Sequence, residues 1–190
     1  MKLDKFVTFN RRALSAALAS ALVLGGMGLS SNAYAANATG TATATVIKPI
    51  TVTTTNSLVF GSFAQGNAGD VTVNTNGSRA TTGPILSTIG ATPTAAIFAV
   101  SGDGASTYSI STTGTVTTVG STLTPADTMA FAFCTATTAA ATCVPANNVT
   151  TGKLVSGAQN IYMGGTLTAV ATQAQHTDYT GAISVTVEYN

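Results

Sequence analysis

The sequence predicts an all-β fold, an antiparallel sandwich of short strands, and two observations carry that prediction. Ile183, Val185, Val187 and Tyr189 alternate with Ser184, Thr186 and Glu188. Period two over a full strand length marks a strand with one face buried. This strand runs to the end of the chain, so the C-terminus is expected to be tied into a sheet. Upstream, short apolar runs recur with Gly, Asn and Asp turn signals at intervals of about 8–12 residues, as in sandwiches. No run is long and even enough to favour a barrel, and none follows a helical period.

Taken in order, residues 41–52 alternate Thr with Ala and Val. Pro49 interrupts them, which predicts a bent first edge strand. Residues 58–63 form a second strand with Gly61 as its bulge. Residues 71–75 run into Asn76-Gly77, a hairpin signal because both residues tolerate positive φ. Residues 96–100 precede the turn Gly102-Asp103-Gly104, and residues 107–110 follow it. Further strands are predicted at 115–119, 129–133 and 153–155. Residues 161–163 lead through Gly164-Gly165 into 166–170, and with the closing strand the set numbers about nine or ten.

The amino terminus predicts export. Lys2, Lys5, Arg11 and Arg12 form a basic start, and residues 13–29 are apolar but broken by Gly25, Gly26 and Gly28. Ala33 and Ala35 are the small residues read by a signal peptidase, placing cleavage between Ala35 and Ala36. The apolar core is short and glycine-interrupted against the ~20 residues of a spanning helix, and no transmembrane segment is expected in the mature form. The expected organisation is therefore a signal peptide, 1–35, and one sandwich domain, 36–190. Its expected location is the periplasm, the cell surface or fimbrium, or the extracellular medium. About 155 residues suffice for one domain with its own core.

Cleavage changes the charge. The precursor carries +1, but the mature chain keeps Lys48, Arg79 and Lys153 against Asp70, Asp103, Asp127, Asp178 and Glu188, a net −2. Without a basic patch to neutralise phosphates, nucleic acid is excluded as a partner. Disorder pairs low hydrophobicity with high net charge, and neither holds.

Cys134 and Cys143 are the only cysteines. In an oxidising compartment the pair predicts a disulfide, worth roughly 2.5–3 kcal/mol for a ring of about 10 residues. The spacing is not CxxC and no histidines flank it, so a redox or metal pair is disfavoured. Catalysis finds little support. His176 is the only histidine, in a loop with Asp178, and no serine lies in a nucleophile elbow. The carboxylates are scattered singly, and Asp103 between glycines reads as a turn residue rather than a calcium ligand. Arg79 reads as a solvated loop charge. Three glycosylation sequons, at Asn37, Asn76 and Asn148, are frequent by chance in so Thr-rich a chain. The chain is read as a non-enzyme with no cofactor, no metal and no catalytic residue.

The succession Thr43-Ala-Thr-Val46, Leu58-Val-Phe-Gly61, Val71-Thr-Val73, Asn76-Gly-Ser-Arg-Ala80, Phe98-Ala-Val-Ser-Gly102, Thr107-Tyr-Ser-Ile110, Met163-Gly-Gly-Thr-Leu167, Tyr179-Thr-Gly181 and Val185-Thr-Val187-Glu-Tyr189 resembles the domain-of-unknown-function 4402 family of secreted bacterial domains. That pattern is similar to spore-coat-U-type and common-pilus-type fimbrillins. The resemblance implies an immunoglobulin-like, pilin-like sandwich and no catalytic residues. The chain departs from the family pattern at residues 175–178 and around the two cysteines.

Two functions are expected from this. In the first, the protein is a structural subunit of a surface fibre, joined to further copies by donor-strand complementation, with a periplasmic chaperone and usher as partners. The candidate donor is residues 36–47, with Ala38, Gly40, Ala42, Ala44 and Val46 on one face. At ~0.8 kcal/mol per buried carbon that face offers about 5 kcal/mol, well below a row of larger side chains. In the second, the domain is self-complete, with residues 36–47 as its own edge strand, and serves as a secreted or periplasmic binding or surface-coat module.

Overall fold

The computed structural model describes residues 35–115, 128–145, 147–175 and 179–190. Residues 1–34 of the expected signal peptide (1–35) lie outside this set, as do residues 116–119 of one predicted strand, and His176 and Asp178. The chain divides into two units, Met1–Ala44 and Thr45–Asn190. In the first, the described residues 35–44 are exposed and form no strand.

The second unit is all-β, and its longest strands build two antiparallel sheets. Eleven strands are described: β1 (Thr51–Asn56), β2 (Phe63–Ala64), β3 (Gly69–Val73), β4 (Arg79–Thr82), β5 (Ile85–Leu86), β6 (Ala96–Ser101), β7 (Thr107–Thr115), β8 (Ala130–Ala136), β9 (Thr151–Lys153), β10 (Ala158–Ala169) and β11 (Ala182–Tyr189). The larger sheet has the order β1-β6-β10-β3-β4, with β8 also on β10; the smaller has the order β11-β7-β9, and β2 pairs with β5.

Strand β10 is the axis of the larger sheet. Along one edge its residues 158–163 pair with β6 and its residues 165–169 with β3. Along the other edge, residues 162–168 pair with β8. Gly164 sits where the first edge changes partner. A Cβ there would collide with the Val73 carbonyl oxygen and lie 3.1 Å from Cys134 Sγ. On Gly165 it would lie 2.5 Å from the Phe131 ring. The glycine pair makes no turn; it lets one strand run unbroken between three neighbours.

Alternation then sorts the side chains. Ala96, Phe98 and Val100 of β6 and Ile161 and Met163 of β10 are buried against Tyr108 and Ile110 of β7, Leu154, and Val185 of β11. A second cluster, Met129, Leu167 and Ala169, is flanked by Phe60, Phe63, Phe131 and Tyr179. The Phe131 ring joins the two, edge-on to Phe60 at 6.0 Å and 6.1 Å from Phe133, which packs on the first cluster. Each large side chain so buried contributes about 1.5–3 kcal/mol. On the opposite face of the larger sheet, cross-strand bonds join Thr72 to Thr166 (2.9 Å) and Thr168 to Asp70 (2.7 Å).

Tyr108 is fully buried, and its hydroxyl donates to Gln159 Oε1 at 2.6 Å. The same oxygen accepts the Lys153 amide at 3.0 Å. Gly152 lies against the phenol, which a Cβ would strike. Desolvation by burial raises the Tyr108 pKa above its ordinary 10.0.

Several expectations change. The first strand begins at Thr51, not at residue 41, because β6 ends at Ser101, opposite Thr51. Pro49, which lacks an N–H, stands just before it. Residues 58–63 contribute one isolated bridge, Val59 to Thr94, and the start of β2. Gly61 (φ 71°) turns the backbone between them rather than bulging a strand. Two short strands, β4 and β5, carry no apolar alternation and were not expected.

Two outcomes follow. Gly164→Ala should lower stability by about 2–3 kcal/mol in urea denaturation, because the colliding atom is backbone and cannot swing away. Because folding raises the Tyr108 pKa, its contribution is full below about pH 10 and declines as pH rises through the folded value. Alkaline titration followed at 295 nm should therefore show one tyrosine ionising late, together with loss of near-ultraviolet dichroism.

Candidate functional site

The smaller sheet is bounded by β11 at one end and β9 at the other, and β11 is the longer of these edge strands. β11 pairs with β7 along its whole length, from Ala182 opposite Thr115 to Tyr189 opposite Tyr108. β9 takes the other edge of β7, so β11 ends its sheet, and among the described residues no strand pairs with its second edge. β1 ends the larger sheet, and it packs beside β11. Along this flank Ile50 and Val52 from one side and Ile183 and Val187 from the other are half-buried, packed against the core; only Val185 is buried outright. The alternation of the closing strand is thus seen in full.

The penultimate residue fixes where the chain enters this flank. The Tyr189 hydroxyl accepts the Asp103 N–H at 2.6 Å and donates to the Lys48 carbonyl at 2.8 Å. Gly102 admits the phenol, which a Cβ at that position would strike. Asp103 is a turn residue, its carbonyl accepting the Ser106 N–H at 3.2 Å. Immediately before Lys48 the chain is open to solvent: Val46 is 96 % and Ile47 49 % exposed. Ala35, Ala36, Ala38, Gly40, Ala42 and Ala44 are exposed too, and none of residues 35–50 belongs to a strand.

Cys134 and Cys143 are joined by a disulfide with a Cα separation of 5.5 Å. The ring they close is docked at its middle. Thr75, buried, accepts the Ala140 N–H at 2.9 Å and donates to the Ala140 carbonyl at 3.1 Å, while the Asn76 N–H reaches the same carbonyl at 3.0 Å. The loop therefore rests on the Asn76-Gly77 turn.

Arg79 is not a solvated charge. Its guanidinium donates to the carbonyls of Phe60 (2.9 Å), Ser62 (3.0 Å) and Ser87 (2.8 Å). It gathers the two segments that carry β2 and β5. Its planar fork of donors suits three converging carbonyls, of which that of Ser62 also accepts the Ser87 N–H at 3.0 Å. The Tyr189 anchor and the Arg79 clamp both escaped the sequence reading. A penultimate tyrosine on a strand's buried face was the available signal for the first, and none existed for the second. Among the described residues no three His, Cys, Asp or Glu side chains converge on a metal-sized site, and no helix is long and apolar enough to cross a membrane.

Tyr189→Phe removes both bonds of the anchor and keeps the ring. It should cost about 1–2 kcal/mol and make the chain around Lys48 a faster site of limited proteolysis.

The family model described as domain of unknown function (DUF4402) matches residues 50–189. No curated protein and no solved structure matches the chain.

Proposed function

The chain belongs to the DUF4402 family, and from that premise we propose that it is an exported, non-catalytic subunit of a surface fibre, joined copy to copy by strand donation. The observation that carries the reading is the state of residues 36–47. They alternate small apolar residues with Thr, lie exposed, form no strand, and precede the family-matched domain. An open sheet edge beside a half-covered apolar strip is a hazard that secreted β-proteins hide or use. Here β11 offers that edge, and the segment before Lys48 is the natural occupant in a neighbouring copy. Main-chain hydrogen bonds supply most of the affinity, and the small donor face suits a strip that is already half-covered. The basic and apolar amino terminus directs export. A chaperone that covers β11 before assembly, and an usher that exchanges it for the donor, complete the scheme.

The test is an SDS gel of protein purified from the periplasm, loaded with and without boiling. Strand-donated polymers are kinetically trapped, so a ladder is expected that collapses on heating and is absent when residues 36–47 are deleted. A single monomer band in both lanes, with reversible cooperative unfolding, would replace this reading with that of a self-complete binding or surface-coat module.

A further inference from the structure

An open cavity lies on the outer face of the larger sheet. Its floor is one cross-strand row. Asn56 of β1 lies opposite Ile97 of β6, and Ile97 lies opposite Tyr162 of β10. This face elsewhere carries the Thr72–Thr166 and Asp70–Thr168 bonds. A half-buried Tyr and Ile there depart from its polar character, since neither contributes to the core.

Both walls are pinned. One is the Asn76-Gly77 turn with Ala139 of the disulfide loop, fixed by the Cys134–Cys143 bond and by Thr75 and Asn76 on Ala140. The other is Pro93, Thr94 and Ala95. It is held by the paired Val59 and Thr94 backbone bonds at 2.9 and 3.0 Å and by Thr94 Oγ1 on the Ser57 carbonyl at 2.9 Å. The space between has a volume of about 240 Å³.

The lining selects the chemistry of a ligand. Among the described residues it carries no charged side chain, so an ion is not favoured. Its apolar surface is the Tyr162 ring with Ile97, Pro93 and Ala139. The Thr75 and Thr94 hydroxyls are used within the walls, but among the described residues the Tyr162 hydroxyl and the Asn56 side-chain amide make no hydrogen bond, and Asn76 uses its side-chain oxygen on Ser78 but not its NH2. One aromatic face with amide and phenol groups around it matches a ring that has an apolar C–H face and a rim of hydroxyls. Walls set before binding lower the ordering cost. We propose that this cavity binds a single neutral sugar ring, laid on Tyr162 and hydrogen-bonded by Asn56 and Asn76. The site stands independently of strand donation.

The test is an amide NMR titration of the mature protein with the methyl glycosides of glucose, mannose and galactose and with N-acetylglucosamine. Each is raised to about 50 mM, well above a dissociation constant on the order of a few millimolar. At least one sugar should shift the amides at positions 56, 76, 77, 94–97, 139 and 162. Tyr162→Ala should weaken it about tenfold or more, and Asn56→Ala about threefold to tenfold. Asn56 is exposed and among the described residues its side chain bonds nothing, so that variant keeps its fold and remains informative if Tyr162→Ala does not. No shift with any of the four sugars, or shifts unchanged in Asn56→Ala, would overturn the proposal. So would binding of cyclohexanol without binding of any sugar.

Discussion

The missing side chains at Gly164 and Gly165 are the constraint on which the rest of the larger sheet depends. β10 must accept β6 and then β3 along one edge while β8 occupies the other. At the change of partner, the end of β3 comes so close that only a hydrogen fits. Because the strand does not break there, its core-facing positions stay in phase from Ile161 to Ala169. The two apolar clusters therefore meet through Phe131 as parts of one interior. The same absence of bulk makes room for Cys134, and with it the disulfide loop that rests on the Asn76-Gly77 turn. Local backbone freedom, sheet order and the outer surface are linked through one dipeptide.

What the sequence made legible was what depends on near neighbours. The alternation of residues 183–189, the Asn-Gly turn and the Gly-Asp-Gly turn after β6 each follow from local sterics and face patterning, and each is in place. The disulfide was legible because only one pairing of two cysteines exists. Sheet order was not, since the partner change on β10 joins it to β6 and β3, residues about sixty to a hundred apart in sequence. Gly164-Gly165 resembles a turn until the neighbours on both edges are known. The start of β1 was misplaced for the same reason. Alternation at residues 41–50 is strand-like, but a strand needs a partner, and β6 stops opposite Thr51. Arg79 illustrates the limit from another side. Its partners are carbonyl groups, which every residue carries and no sequence pattern marks.

The candidate sites divide along the same line. The proposed donor segment was visible as an alternating stretch, and its small side chains already indicated a modest apolar gain. The open edge of β11 and the anchoring of Lys48 needed the fold. The outer cavity was invisible, because its floor comes from three strands and its walls from loops far apart in sequence. Tyr162 alone reads as one more strand tyrosine.

The Tyr189 anchor has a mechanical consequence. Lys48 and β11 are joined side chain to backbone at the point where the chain leaves the domain. Tension applied to the chain ahead of Lys48 therefore reaches the edge strand first, across the ring of Tyr189, before it reaches the ladder between β1 and β6. In a fibre whose links load that edge and that segment, the pull would cross each subunit by a short route along one flank. The hydrophobic interior would lie beside the line of force rather than in it, and each domain could bear load without being drawn open.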